Sequence, residues 1–334
     1  MFPLYAMVMG GAVATPPTVT SVNKGGYTRT QGGILFTITG TLFTGATGVT
    51  FGGTAATSVT VVNATTITCV SPAKAAGLYD VAVTTPAGTG TLTNGIEYVN
   101  PTSIFGANLK RWYSQTYAAG VWTDASGTAN TSQATSGKRP SASTLAGTTD
   151  RPATHVALLF DGVDDGLNAG GAADIFTTAG TVAAVVSASV SQNAESNIFA
   201  KNFNNEDLIF AANRSPDAAT KPCFGCGGST TTELAIGPTA INDGVVRRMI
   251  GTLGSSTSRL YVNGTLAVDT GAGAPPGGSI DFNSIGSAMT SSEAVTDYHF
   301  TGKIAEVVVA NVEANATQRA KLDAYLRDCA GLAA

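Results

Sequence analysis

Charge is scarce in this chain. Only 12% of its 334 residues are Asp, Glu, Lys or Arg, the net charge is −4, and the 18 basic side chains never cluster. Binding to nucleic acid needs a basic stripe that displaces counterions from phosphates, so nucleic acid is not expected as a partner. Long apolar runs are missing too: nothing approaches the roughly 20 apolar residues that cross a bilayer, and no membrane insertion is expected. The two histidines, His155 and His299, lie far apart with no Ser or Cys nucleophile motif around either, so both read as surface or half-buried residues. Four cysteines, Cys69, Cys223, Cys226 and Cys329, are too few for a disulfide scaffold. Cys223 and Cys226 form a C-x-x-C with no second pair to complete a zinc site. Pro222 and Gly227-Gly228 flank it where a redox pair would need a helix N-terminus, so a plain or disulfide-closed loop is expected there.

What the chain has in abundance is glycine (40 residues), threonine and small or β-branched apolar residues, the composition of short strands joined by tight turns. The length suits two domains. The opening MFPLYAMVMGGAVATPP imitates a secretion signal, with an Ala-x-Ala ending at Ala14, yet its apolar run is short and no basic residue precedes Lys24. Residues 1–15 are read instead as an apolar arm that docks on a neighbour through Phe2, Leu4, Tyr5, Met7 and Val8.

Residues 16–99 alternate with period two. Ile34, Phe36 and Ile38 share one face, as do Val49 and Phe51, Val59 and Val61, Ile67 and Cys69, and Tyr79, Val81 and Val83, each run ending at a Gly, Asn or Pro. Such recurrence predicts an Ig-like β-sandwich. The segment resembles the IPT/TIG family in P-x-V-x-S (Pro17–Ser21), Gly32-Gly33, I-T-G-T-x-F (Ile38–Phe43), V-x-F-G-G (Val49–Gly53), T-T-I-T, Pro72, G-x-Y-D-V-x-V (Gly77–Val83), P-x-G (Pro86–Gly88) and Tyr98. It departs at Asn23, where the family often has proline. The resemblance implies a spacer or docking platform and names no partner.

Residues 100–334 read as a second, larger β module. The aromatic stretch 109–140 is expected to be irregular surface chain with short strands. Strands follow at Val156–Phe160, Thr181–Ser189, Leu208–Ala212 and Val246–Thr252, then a hairpin turning at Asn263-Gly264, then Lys303–Ala310. At the end, Asn315 caps a helix with Gln318 reaching back, Leu322, Tyr325, Leu326 and Cys329 share its inner face, and Gly331 stops it. The module resembles the concanavalin A-like, laminin-G-like jelly rolls in W-x-D-x-S-G (Trp122–Gly127), Gln133, Arg139-Pro140, Leu158–Asp165, L-Y-V-N-G from Leu260 and G-K-I-A-E-V from Gly302. Relatives of this kind that hydrolyse glycans carry E-x-D-x-x-E, absent here. Glu206 and Asp207 point to opposite strand faces, and Glu293 and Asp297 sit in a Ser/Thr-rich loop, so no catalytic residue and no enzyme is expected.

Two candidate sites remain. Asp161, Asp164 and Asp165 offer the oxygens calcium needs, against the plainer reading of a solvated turn; otherwise no cofactor is expected. Trp112, Tyr113, Tyr117 and Trp122 could stack on sugar rings, against the plainer reading of core aromatics. The resemblance implies a bacteriophage virion protein: a capsid decoration, head fibre or tail-associated protein at the virion surface. Its expected partners are other virion proteins such as a major capsid or tail protein. A host-surface glycan is the candidate ligand and a homo-oligomer the candidate assembly. The alternatives are a secreted or cell-surface bacterial adhesin or carbohydrate-binding protein and, third, a glycan hydrolase.

Overall fold

The computed structural model describes residues 14–127, 130–133, 135–169, 179–190, 196–201, 209–213, 221–225, 234–255, 257–271, 283–289 and 295–333. Contacts divide the chain into two units, one of residues up to Gly26 with Gln31–Tyr98, the other of Tyr27–Thr30 with Val99–Ala334.

In the first unit, the strands Thr18–Val22, Leu35–Thr41, Thr66–Val70 and Thr57–Asn63 make one sheet. Gly88–Val99, Gly77–Thr85, Gly48–Phe51 and Thr54–Ala55 lie side by side in another. The period-two residues fill the space between: Phe36, Ile38, Val49, Phe51, Ile67, Cys69, Val81 and Val83 are buried, and the rings of Phe36 and Phe51 stand 5.6 Å apart. Each such aromatic, taken wholly out of water, contributes about 1.5–3 kcal/mol. Gly40 is fixed by packing, since a Cβ there would sit 1.9 Å from the Thr18 carbonyl oxygen.

The second unit is a two-sheet sandwich with a helix on its outer side. Its larger sheet runs in the order Val121–Asp124, Leu109–Ala118, Thr301–Ala310, Gly180–Ala188, Val246–Leu253, Thr257–Val262 and Thr265–Gly271; the hairpin Ser141–Leu145 with His155–Asp161 pairs onto the Thr301–Ala310 strand. The facing sheet holds Leu167–Asn168, Asn283–Ile285, Ser196–Lys201, Ile209–Asn213, Cys223–Gly225 and Leu234–Ile236. Between the sheets lies a core that includes Phe160, Val182, Phe199, Phe210, Phe224, Met249, Val307 and Val309. On the outer face, Ala157, Val185, Ile250 and Val308 pack with Leu322, Tyr325, Leu326 and Cys329 of the helix Ala316–Ala330. Thr301–Ala310 is thus covered on both sides, which is why I-A-E-V-V-V-A reads as a continuous run rather than an alternation.

The fold is the expected all-β pair of sandwiches with a short C-terminal helix. The helix has its capping box at Asn315 and Gln318 and ends in a left-handed Gly331 (φ 71°). Asn263 (φ 51°) and Gly264 (φ 82°) form the expected hairpin turn. The stretch after Asn108 differs from expectation. It forms a regular ten-residue strand, Leu109–Ala118, because Trp112 and Ser114 face the helix side while Tyr113 faces the intersheet core. Asn100 also caps a short helix, Pro101–Phe105, that the sequence reading passed over.

Candidate functional site

Where the strand His155–Asp161 ends, the chain turns sharply through Gly162 (φ 79°). A Cβ at Gly162 would lie 2.0 Å from Thr301 Oγ1 on the neighbouring strand. The turn delivers Asp161, Asp164 and Asp165 with carboxylate oxygens within 4.8 Å of one another. Beside it is a depression of about 390 Å³ lined by Gly137, Arg139, Ser141, Leu159, Phe160, Asp161, Asp165, Ser189, Thr301 and Gly302. Val163 N–H donates to Asp161 Oδ1 (2.8 Å), and Asp161 N–H donates to Asp165 Oδ2 (2.9 Å).

The three carboxyls are not equivalent. Asp161 is exposed, whereas Asp165 is only 6% exposed. Burial pushes the Asp165 carboxyl up to about 6; the Asp161 N–H pulls it partly back, and the neighbouring carboxylates of Asp161 and Asp164 push it further up. A hard divalent cation would relieve this crowding, so the residues fit calcium: Asp161, Asp164 and Asp165 would hold it, and it would neutralise their charge.

The four aromatic candidates do not form a rim. Tyr113 and Trp122 are fully buried in the intersheet core, their ring centroids 5.8 Å apart, and Trp112 is 8% exposed. Tyr117 is half-buried, with its hydroxyl donating to Pro140 O at 2.6 Å. The faces an incoming sugar would stack on are already covered by protein. Phe2, Leu4, Tyr5, Met7 and Val8 lie outside the described residues, as do Cys226, Glu206, Asp207, Glu293 and the Asp297 side chain.

Sequence reasoning missed a buried polar cluster beneath the helix. His155 is 3% exposed, not half-buried, and Glu306 is fully buried. Glu306 accepts hydrogen bonds from Ser114 Oγ (2.6 Å), His155 Nε2 (3.1 Å), Trp112 Nε1 (3.2 Å) and Tyr325 OH (3.3 Å). Donor atoms of His155, Glu306 and Cys329 lie within 4.8 Å of one another. Arg29 Nη1 stands 3.4 Å from His155 Nδ1. Arginine can only donate, so Nδ1 accepts and the imidazole proton sits on Nε2, toward Glu306. The lone pair that a metal would need therefore faces a guanidinium. Burial raises the Cys329 thiol well above its ordinary range, which keeps it protonated. The only hint of this in the sequence is a glutamate within an apolar strand.

A two-sheet sandwich with an outer helix and an acidic turn at the mouth of a depression defines a lectin-type β domain, here preceded by an Ig-like sandwich. Residues 17–98 match the IPT/TIG domain family and residues 161–318 match the concanavalin A-like lectin/glucanases superfamily. The chain carries an N-terminal IPT/TIG domain and a C-terminal concanavalin A-like lectin/LamG domain. Among solved structures it is similar to domain 4 of a GH43 extracellular arabinanase from Geobacillus stearothermophilus in complex with arabinotriose (15% identity, 65% of this chain, 98% of that one, TM-score 0.48). It is also similar to Trypanosoma rangeli sialidase in complex with sialic acid (12% identity, TM-score 0.48), covering 92% of this chain and 52% of the sialidase, about half its length. The CBM40 of Ruminococcus gnavus IT-sialidase bound to α2,3 sialyllactose is a looser likeness (13% identity, 44% and 83% covered, TM-score 0.36). No curated protein matches the chain.

Two expectations are corrected. The virion role gives way because the superfamily matched over 161–318 is one of lectins and glucanases. The expectation of a non-catalytic protein gives way as well. The superfamily matched over residues 161–318 takes in glucanases as well as lectins. Among the described residues no helix is long and apolar enough to cross a membrane.

Proposed function

We propose that the chain is a secreted or cell-surface bacterial carbohydrate-binding protein whose second domain takes a glycan in the depression beside Asp161–Asp165, with the IPT/TIG domain as spacer or docking platform. The observation that carries this is the lining itself: the carboxyls of Asp161 and Asp165, the hydroxyls of Ser141, Ser189 and Thr301 and the guanidinium of Arg139 line one concavity of a lectin-type domain, a mix of acceptors and donors suited to sugar hydroxyls. The test is a glycan array followed by calorimetry on the best ligand, with and without calcium. Asp161→Asn should weaken binding at least tenfold. Full affinity in that variant would reject the site.

One observation favours a second reading, glycan hydrolysis at the same place. A buried carboxyl raised to about 6, with two further carboxyls whose oxygens lie within 4.8 Å, is the asymmetry an acid and its partner require. Turnover of any array-positive glycan, lost in Asp165→Asn with binding retained, would establish it.

A further inference from the structure

Exposed aliphatic side chains flank the lining of the depression in sequence and strand pairing: Leu159, Val163, Val190 and Val245 are exposed by 40%, 70%, 76% and 52%. Leu159 lines the depression, Val163 follows the Gly162 turn, and Val190 follows the lining residue Ser189. The Gly244 N–H donates to Ala188 O at 2.8 Å, which pairs the chain before Val245 with the strand leading into Ser189. The aromatic side chain lining the depression among the described residues, Phe160, is fully buried. An unsubstituted hexose polymer is gripped through the flat C–H face of its rings, for which aromatic platforms are suited. Branched aliphatic tips offer no such plane. They complement a compact methyl group, which gains from leaving water wherever it meets them.

Resting on the carbohydrate reading above, we propose that this site selects sugars bearing a methyl group, N-acetylated or 6-deoxy, over the unsubstituted parent sugars. The polar floor holds the ring hydroxyls, and the flanking aliphatic side chains receive the methyl.

Calorimetry on the full chain would compare N-acetylglucosamine with glucose, D-fucose with D-galactose and D-rhamnose with D-mannose. Burying one methyl group is worth about fourfold in affinity, so the substituted sugars should bind about twofold to fourfold more tightly. Val163→Ser and Val190→Ser, both at solvent-facing positions outside the lining of the depression, should each cut that preference toward one. Equal binding of substituted and parent sugars, or an undiminished preference in both variants, overturns this inference and leaves the carbohydrate reading standing. Failure of every sugar to bind overturns that reading as well.

Discussion

Replacing Asp165 with asparagine should stabilise the second domain at alkaline pH and do little in acid. The Asp165 carboxyl is raised from 3.8 to about 6, chiefly by burial. A carboxyl whose folded-state value lies above its unfolded value favours folding only while protonated. That contribution is complete below pH 3.8 and is lost as the pH rises through about 6. Two pH units at 1.36 kcal/mol each set a ceiling of about 3 kcal/mol for the cost of ionised Asp165 at pH 8. In Asp165→Asn the amide oxygen can still accept the Asp161 N–H, now 2.9 Å from Asp165 Oδ2, and the amide NH2 can donate toward the Asp161 carboxylate. Both tryptophans, Trp112 and Trp122, lie in the second unit, so their fluorescence during urea unfolding reports on that domain without interference from the first. In EDTA, the variant should exceed the wild type by about 2–3 kcal/mol at pH 8 and match it within about 0.5 kcal/mol at pH 4. A variant less stable at pH 8, or a difference that does not change with pH, would refute the reasoning.

Glu306→Ala would leave the buried donors of Ser114, His155, Trp112 and Tyr325 facing a void. It should cost about 3–5 kcal/mol of second-domain stability in the same urea assay. Thr28→Val deletes the 2.7 Å bond to Asp328 Oδ2 and should cost about 1–3 kcal/mol, read by those same tryptophans although Thr28 lies among first-domain residues in sequence. Burial pushes the Cys69 thiol up to about 12, so it should resist a thiol reagent in the native state and react fully only in denaturant. Gly264→Ala places a Cβ at φ 82° and 2.8 Å from Asp323 Oδ2, and should lower stability by about 1 kcal/mol or more.

Periodicity made the architecture legible. Alternation at Phe36 and Ile38, the Asn263-Gly264 turn and the Asn315 cap are local signals, each decided by a few neighbouring residues, and the structure bears them out. Alternation tells which side of a strand a residue is on but not what covers that side. Trp112 and Trp122 could therefore be read as sugar platforms until a helix and a second sheet were seen over them. The site was half legible: the Asp161–Asp165 turn stood out as an acidic cluster, but the burial that sets Asp165 apart comes from tertiary packing. His155 and Glu306 are 151 residues apart, and no short-range pattern connects them. The flanking aliphatic side chains, gathered from the ends of neighbouring strands, were equally out of reach.

Tyr27–Thr30 belongs by its contacts to the second unit, where Thr28 and Arg29 meet Asp328 some 300 residues downstream. A ribosome delivers these residues some 300 residues before their partner. The lectin-type domain must then wait, with part of its interior already made and unclaimed, until the helix Ala316–Ala330 emerges, whereas the Ig-like unit needs no such distant partner for its core.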